Sequence, residues 1–273
     1  DDPLIAQNAS ARHYENVRAG GVIEIPENER WLGAKRRYLR FSEVLYGVDH
    51  VIEMLVDYLE AGANRAALGK QVALIVGPPG TGKSTAVNIL ADMLEKSARP
   101  LYMINGCTKF EEPLHLLPRH LRAEVEKSLG VHIEGDLCPP CQDRLKKDFT
   151  DPDGVVRWQD VPVVPFSFSK RNVRGITSFE PSGEKSEDVT KLTGRENTGV
   201  TQMPSRGYND PYAYDLSGAI PKAERGLCEG RELLSSDPEV LGVFFSVAQE
   251  RELKITNSTF PQISVDTLVI GHT

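Results

Sequence analysis

Apolar positions along the chain recur at two spacings, which predict a mixture of buried strands and amphipathic helices. Short apolar runs bounded by turn residues are typical of buried strands, and apolar residues spaced three and four apart are typical of helices. The strongest strand run covers 72–76, and helical spacing follows over 86–94. Further strands are predicted over 101–104, 161–168, 253–255 and 265–270, and further helices over 48–59, 119–129 and 237–250. This pattern predicts an α/β fold.

Between the strand over 72–76 and the next helix lies a glycine-rich loop with the spacing G-x-x-x-x-G-K-[ST]. Glycines can turn successive N–H groups onto a phosphate, and a helix N-terminus adds its positive dipole end. In this pattern Lys83 reaches the β- and γ-phosphates, and the Ser84 hydroxyl ligates Mg²⁺. A chance glycine turn is disfavoured because every fixed position and both flanks match, so the sequence predicts nucleoside triphosphate binding. The predicted binding residues are Gly77, Pro78, Pro79, Gly80, Thr81, Gly82, Lys83, Ser84 and Thr85.

A loop followed by a helix lies just upstream of this strand, in a position that commonly packs on the adenine ring. The apolar positions of the helix over 48–59 fall on one face. Tyr46, Gly47 and Val48 are therefore candidate contacts of the base. Simple core packing of Tyr46 is an equally good interpretation.

Composition narrows the classes of partner. The 273-residue chain carries 32 Lys and Arg against 39 Asp and Glu, a net charge of −7. An acidic chain lacks a general electrostatic attraction to nucleic acid, although a local basic face is compatible with this charge. No apolar stretch is long enough to span a bilayer. Four cysteines in a chain of this type favour a reducing cytoplasm over a disulfide framework. We expect a cytoplasmic protein that binds neither membrane nor nucleic acid.

From Phe179 onward, the order of features resembles the branch of AAA+ ATPases that holds bacterial enhancer-binding activators, MCM helicases and Lon. A helix ends in Leu-x-Gly at 192–194, a loop follows over 195–217, and the segment 218–226 leads into the Walker B strand. More closely, the chain resembles the PrkA family, bacterial proteins long labelled serine protein kinases. The stretches that carry this resemblance cover most of residues 40–273 and are 111–118, 133–136, 179–194, 209–214, 218–226 and 270–273.

The resemblance implies a P-loop NTPase core of the AAA+ type, with a central parallel sheet of strand order 5-1-4-3-2 flanked by helices. It divides the chain into an N-terminal arm over 1–40 and the ATPase core over 41–273, with one insertion over 108–160 between strands 2 and 3. We expect the core to stop before the sensor 1 residue. The arginine finger and the C-terminal lid would then be absent, and the isolated chain would turn nucleotide over poorly.

Carried onto this sequence, the resemblance makes Lys83 and Glu232 the catalytic residues. Glu232 matches the Walker B glutamate that orients the attacking water, although a solvated residue at a helix start is the alternative. The preceding position, normally an Asp that helps to hold Mg²⁺, is Arg231. A cation beside Mg²⁺ repels the metal unless it points away, so Arg231 bears on hydrolysis more than on binding.

The function implied is Mg-dependent ATP hydrolysis by a ring-shaped homo-oligomer that acts on a protein substrate. Tyr208, Tyr212 and Tyr214 in the loop over 195–217 could grip a polypeptide, and a mobile surface loop is the equal alternative. A serine/threonine protein kinase is the second hypothesis, although the H-R-D and D-F-G motifs of eukaryotic kinases are absent from the sequence. A scaffold that binds ATP without useful turnover is the third.

A second pattern concerns the cysteines. Cys138 and Cys141 have metal-ligand spacing, and Cys107, His115 and His132 are possible partners. Because tetrahedral Zn²⁺ needs four ligands and the sequence offers no second compact pair, we favour reduced cysteines in an ordered insertion over a structural zinc. Cys228 is expected to pack inside the Walker B strand.

Overall fold

The structure is a computed structural model that describes residues 6–97, 99–183, 185–255 and 262–273. Its α-helices are α1 (Ala9–Ala19), α2 (Leu39–Ser42), α3 (Asp49–Ala63), α4 (Lys83–Glu95), α5 (Arg119–Leu129), α6 (Pro139–Asp148), α7 (Lys185–Thr193), α8 (Thr198–Thr201), α9 (Ala219–Lys222) and α10 (Pro238–Glu250). Its strands are β1 (Val22–Glu24), β2 (Arg36–Tyr38), β3 (Ala73–Ile75), β4 (Leu101–Ile104), β5 (Val163–Phe166), β6 (Ile176–Phe179), β7 (Arg195–Glu196), β8 (Tyr214–Asp215), β9 (Leu227–Arg231), β10 (Glu252–Lys254), β11 (Gln262–Ser264) and β12 (Leu268–His272).

A four-stranded parallel sheet with the order β3-β12-β9-β6 forms the centre of the fold. This order is the 1-4-3-2 part of the order that the family resemblance implied, so the predicted α/β fold class is confirmed. His272 of β12 lies opposite Ile75 of β3 on one side and Arg231 of β9 on the other. The three strands therefore end at the same edge, where ligands of open α/β sheets bind.

Apolar layers cover both faces of this sheet. On one face, α3 and α4 contribute Val56, Leu59, Leu90 and Leu94 to a core that also holds Ile270. On the other face, the rings of Phe179 in β6 and Phe244 in α10 pack edge to face with centroids 5.7 Å apart. Coverage of both faces explains why the strands appear in the sequence as continuous apolar runs rather than as alternating patterns.

The strands β4 and β5 occupy a place that sequence reasoning did not foresee. Both form where strands were predicted, and the insertion over 108–160 lies between them. They pair antiparallel with each other, outside the parallel sheet, and the strand that follows β3 within that sheet is β6. Relative to the parallel sheet, the insertion therefore precedes its second strand. An apolar run predicts a strand but carries no information about its partner.

The segment before residue 41 contains ordered structure that packs on the core. Asn8 caps α1 by accepting a hydrogen bond from the Ala11 backbone N–H, and the buried face of α1 contacts α3 and α4. Residues 1–5 lie outside the described part of the chain, and the boundary at residue 40 stays a prediction. Among the described residues, no helix combines the length and the apolar character needed to cross a membrane.

Candidate nucleotide-binding site

The glycine-rich loop joins β3 to α4 at the carboxyl edge of the sheet. Gly80 and Gly82 have φ angles of 81° and 86°, in the left-handed region that side chains disfavour. A Cβ atom on Gly82 would lie 2.5 Å from Leu45 Cδ2, so close packing also requires glycine there. A Cβ on Gly77 would lie 3.2 Å from Thr81 Oγ1. The predicted loop residues 77–82 thus form a compact turn that ends where α4 begins.

Lys83 lies across this turn. Its Nζ donates to the carbonyl oxygens of Gly77 at 2.5 Å and of Pro78 at 2.9 Å, and Thr81 Oγ1 also donates to Pro78, at 2.8 Å. The ammonium is therefore held at the mouth of the loop by two hydrogen bonds to backbone carbonyls. Because a phosphate oxygen carries charge and is a stronger acceptor, it can displace these carbonyls at small cost.

Ser84 and Thr85 follow in the first turn of α4, where backbone N–H groups have no partner within the helix. Ser84 is exposed, and Thr85 is partly buried. The helix N-terminus, the Lys83 ammonium and a free hydroxyl therefore meet at one place. This arrangement suits a phosphate chain that carries Mg²⁺, and the Ser84 hydroxyl is the group that would ligate the metal.

An apolar cavity of about 220 Å³ opens beside the loop, and one of the three predicted base contacts lines it. Val48 lines it, whereas Tyr46 is 82% exposed and Gly47 is exposed, and neither lines the cavity. Sequence reasoning missed four further lining residues as base contacts, although three of them lie on the apolar face that α3 presents at helical spacing. They are Leu45, Val51, Ile52 and Leu55.

Glu232 lies at the same edge, one residue beyond the end of β9. Its backbone is left-handed, with φ 46° and ψ 40°, a conformation that costs a non-glycine residue roughly 1–2 kcal/mol. The Thr273 backbone N–H donates to Ile75 O at 3.3 Å, and Thr273 Oγ1 donates to Glu232 Oε2 at 3.1 Å. Thr273 thus connects the Glu232 carboxylate to the strand that carries the loop. Sequence reasoning missed this role of Thr273, although the position of Thr273 just beyond the end of a predicted strand was a signal.

Arg231 is engaged elsewhere. Its Nε and Nη2 donate to Glu229 Oε2 at 3.1 and 3.0 Å, and Glu229 Oε1 lies 2.9 Å from His272 Nε2. Glu229 is buried, so the guanidinium is paired with a desolvated carboxylate. Arg231 also lines a cavity of about 230 Å³ against α4, whose lining among the described residues includes none of the loop residues 77–82. The Arg231 cation is therefore neutralised by Glu229, a residue that sequence reasoning missed.

The loop over 195–217 is anchored by a short ribbon, because β7 and β8 pair antiparallel. Tyr214 belongs to this anchor and donates from its hydroxyl to Gly194 O at 2.8 Å. Tyr208 and Tyr212 are 54% and 39% exposed. The structure therefore separates the three predicted tyrosines into one anchoring residue and two surface residues.

Three of the cysteines come together in the fold. Cys107, Cys138 and Cys141 are buried, with their sulfur atoms all within 4.8 Å of one another. The two candidate histidines lie elsewhere: His115 Nδ1 is 2.7 Å from Glu111 Oε1, and His132 is exposed beside Glu126.

Comparison with known proteins gives a family and several relatives. A family model described as the PrkA AAA domain matches residues 1–273. A Bacillus subtilis (strain 168) protein named ATP-dependent protease PrkA is 34% identical over 279 residues, covering 100% of this chain and 42% of that protein. An Escherichia coli (strain K12) protein named serine/threonine kinase YeaG is 27% identical over 222 residues, covering 78% of this chain and 33% of that protein. The chain spans less than half the length of these two relatives.

Among solved structures, one chain in the complex between subunits BchI and BchD of magnesium chelatase is similar at a TM-score of 0.49. It is 17% identical, and the match covers 85% of this chain and 54% of that chain.

Proposed function

Because this chain belongs to the PrkA AAA domain family, we propose that it binds ATP with Mg²⁺ at the glycine-rich loop and hydrolyses it to act on a protein substrate. The observation that carries the proposal is the meeting of three features at one sheet edge. These are the Lys83 ammonium over the loop, the apolar cavity beside it, and the Glu232 carboxylate linked through Thr273 to β3.

Each group has a role in this proposal. The N–H groups at the start of α4 and Lys83 bind the phosphates, and Ser84 holds Mg²⁺, which neutralises charge on the β- and γ-phosphates. The apolar cavity takes the adenine ring. Glu232 accepts a hydrogen bond from the attacking water and orients it in line with the γ-phosphate. Pairing of Arg231 with Glu229 supports this scheme because it removes a free cation from the metal's surroundings.

Action on a protein is supported by the B. subtilis relative, which is named an ATP-dependent protease, and the E. coli relative is named a serine/threonine kinase. Tyr208 and Tyr212 are exposed in the loop over 195–217, where they could contact a polypeptide. We propose that the full-length protein assembles into a homo-oligomeric ring in which this loop moves with the nucleotide state. The four free cysteines favour a cytoplasmic location.

A serine/threonine kinase is the second candidate, and the name of the E. coli relative favours it. In that case, a substrate hydroxyl would take the place of the water beside Glu232. The same residues would bind ATP, so nucleotide affinity does not distinguish the two functions.

The test measures where the γ-phosphate goes. Full-length protein is incubated with γ-labelled ATP and cell extract, and free phosphate and protein-bound label are counted in parallel. The proposal expects mostly free phosphate, lost in Glu232→Gln while ATP binding persists. Mostly protein-bound label would reject hydrolysis-driven action and support the kinase. Tight ATP binding without turnover in the wild-type protein would reject both functions and support a scaffold whose state is controlled by the nucleotide.

A further inference from the structure

Two segments that are separate in the sequence bring three thiols to one point. Cys107 follows the turn after β4, Cys138 caps the N-terminus of α6, and Cys141 lies in the first turn of that helix. They are 7%, 2% and 7% exposed, and all four cysteines of the chain are free thiols. Three free thiols packed together inside a protein need an explanation.

Their spacing matches the coordination sphere of a metal. With Zn–S bonds of about 2.3 Å and tetrahedral angles, two sulfur ligands lie about 3.8 Å apart. The Cys107 and Cys138 sulfur atoms are 3.7 Å apart, and each pair among the three lies within 4.8 Å. A disulfide needs about 2 Å between sulfur atoms, so the three thiols are not bridged, and their spacing fits ligands around a common centre as well as S–H···S contacts.

The backbone around these thiols is held in place by neighbouring polar groups. The Cys138 backbone N–H donates to Glu111 Oε2 at 2.7 Å, which fixes the start of α6. Arg144 of α6 donates to the carbonyl oxygen of Asn105, which ties the turn before Cys107 to the same helix. Gly106 has φ 77°, and this angle lets the chain turn and direct Cys107 inward. Such outer contacts orient ligands before a metal binds.

The fourth ligand of a tetrahedral ion would have to come from outside this group of thiols. In the part of the chain that the structure describes, no fourth Cys, His, Asp or Glu ligand atom joins the group. All three cysteines line a cavity of about 640 Å³, whose other wall includes Glu196 of β7 and Asp215 of β8. A water molecule or small anion in this cavity can complete a tetrahedron.

We propose that Cys107, Cys138 and Cys141 bind one Zn²⁺ ion as thiolates, with the fourth position open to this cavity. Binding releases the protons of the thiols to solvent and involves no redox change. The metal joins the turn after β4 to α6, beside the ribbon that anchors the loop over 195–217. This site is independent of the proposed ATPase activity.

The test uses the full-length protein, purified without chelator and analysed for metal by mass spectrometry. We expect about one zinc per chain in the wild-type protein. Cys138→Ser and Cys141→Ser should each lower the zinc content at least about tenfold, because loss of one of three thiolates removes much of the binding energy. Cys228→Ala is the matched control, since Cys228 is equally buried but lies in β9, away from the group. It should keep its zinc.

A second measurement remains decisive if a variant fails to fold. Wild-type protein is stripped with a chelator and titrated with Co²⁺, which should give the intense visible bands of a tetrahedral site and a thiolate-to-cobalt charge-transfer band at one equivalent. Stripping should also expose three thiols to alkylation and leave Cys228 protected. Metal-free wild-type protein that takes up no Co²⁺ would overturn the proposal. So would a disulfide among the three cysteines, or a cobalt spectrum without thiolate bands.

Discussion

Two regions of the molecule use charged side chains in opposite ways. The candidate phosphate-binding loop consists of the consecutive residues 77–85, is largely exposed, and places a single ammonium against backbone carbonyls. The buried charge cluster, which consists of Lys109, Glu111, His115 and Glu224, is at most 6% exposed and joins Glu224 to three residues of the segment 109–115. A site that must exchange a charged ligand stays near water, where desolvation costs little. Buried charges instead satisfy one another permanently.

The cluster is connected by short contacts. Lys109 Nζ lies 3.2 Å from Glu111 Oε1 and 3.0 Å from Glu224 Oε2, and His115 Nδ1 lies 2.7 Å from the same Glu111 oxygen. Glu111 also holds the Cys138 backbone N–H, so the cluster supports the proposed zinc site. The Lys109 charge holds the pKa of Glu111 below its usual range despite burial, and the Glu111 carboxylate raises the pKa of His115. These contacts join the residues of the cluster into one connected network.

The largest effect should come from breaking this cluster. Lys109→Met leaves Glu111 and Glu224 buried without their cation, and loss of one partner of a buried pair costs about 3–5 kcal/mol in the free energy of unfolding. Urea-induced unfolding of the variant measures the loss.

The matched control lies in the same insertion. Arg119 pairs with Asp136, but its side chain is 80% exposed, so Arg119→Met should lower the free energy of unfolding far less than Lys109→Met. Equal losses in the two variants would mean that burial does not govern these charges, and the comparison between the regions would fail.

The second-largest expected effect is a dependence of the free energy of unfolding on pH. Burial raises the pKa of Glu224 from its ordinary value of 4.5 to about 7, against the opposing charge of Lys109. Between pH 4.5 and about 7, Glu224 therefore keeps its proton in the folded state and has released it in the unfolded state. The contribution of Glu224 to the free energy of unfolding is therefore fully present below pH 4.5. It is lost as the pH rises through about 7, by up to roughly 1.4 kcal/mol per pH unit.

Glu224→Gln isolates this contribution, since glutamine resembles the protonated acid at every pH. Urea unfolding of both proteins between pH values of about 4.5 and about 8 should show the wild type losing stability relative to the variant as the pH rises. The exposed nucleotide site offers no such buried group. A difference between the two proteins that does not change with pH would show that Glu224 ionises normally.

The same contrast explains how much the sequence could predict. The glycine-rich loop, α4 and Lys83 were predictable because one short stretch carries the whole signal. The pairing of Lys109 with Glu224 was not, because 115 positions separate them (224 − 109) and neither has a local pattern. The cysteine pair was visible by its spacing, but Cys107 joins it only through the turn after β4. The antiparallel partner of β4 and the Thr273 link to Glu232 likewise depend on tertiary contacts.

In the nucleotide site, the largest effect should come from Lys83. Lys83→Ala removes a charged donor to phosphate, and a hydrogen bond to a charged group contributes about 1.5–3 kcal/mol, or roughly a 10- to 100-fold loss in ATP affinity. The free energy of unfolding should change by less than about 0.5 kcal/mol, because Lys83 is only partly buried and bonds to carbonyls that water can satisfy.

Calorimetric titration with ATP and urea unfolding measure the two quantities separately. Lys96→Ala is the control, since Lys96 is an exposed lysine just beyond the end of α4, where no phosphate is expected. A Lys83 variant that lost stability and kept its affinity would make the site behave like the buried charge cluster.

The smallest effect should distinguish the candidate base contacts. Val48 lines the apolar cavity, so Val48→Ala removes apolar contact with the base and should weaken ATP binding by about 1 kcal/mol, or roughly fivefold. Tyr46 is 82% exposed and does not line the cavity, so Tyr46→Ala should change the affinity by less than about twofold. Tripolyphosphate, which has no base, should bind both variants as it binds the wild type. If Tyr46→Ala weakened ATP binding more than Val48→Ala and left tripolyphosphate unaffected, the base would stack on the exposed aromatic ring rather than enter the cavity.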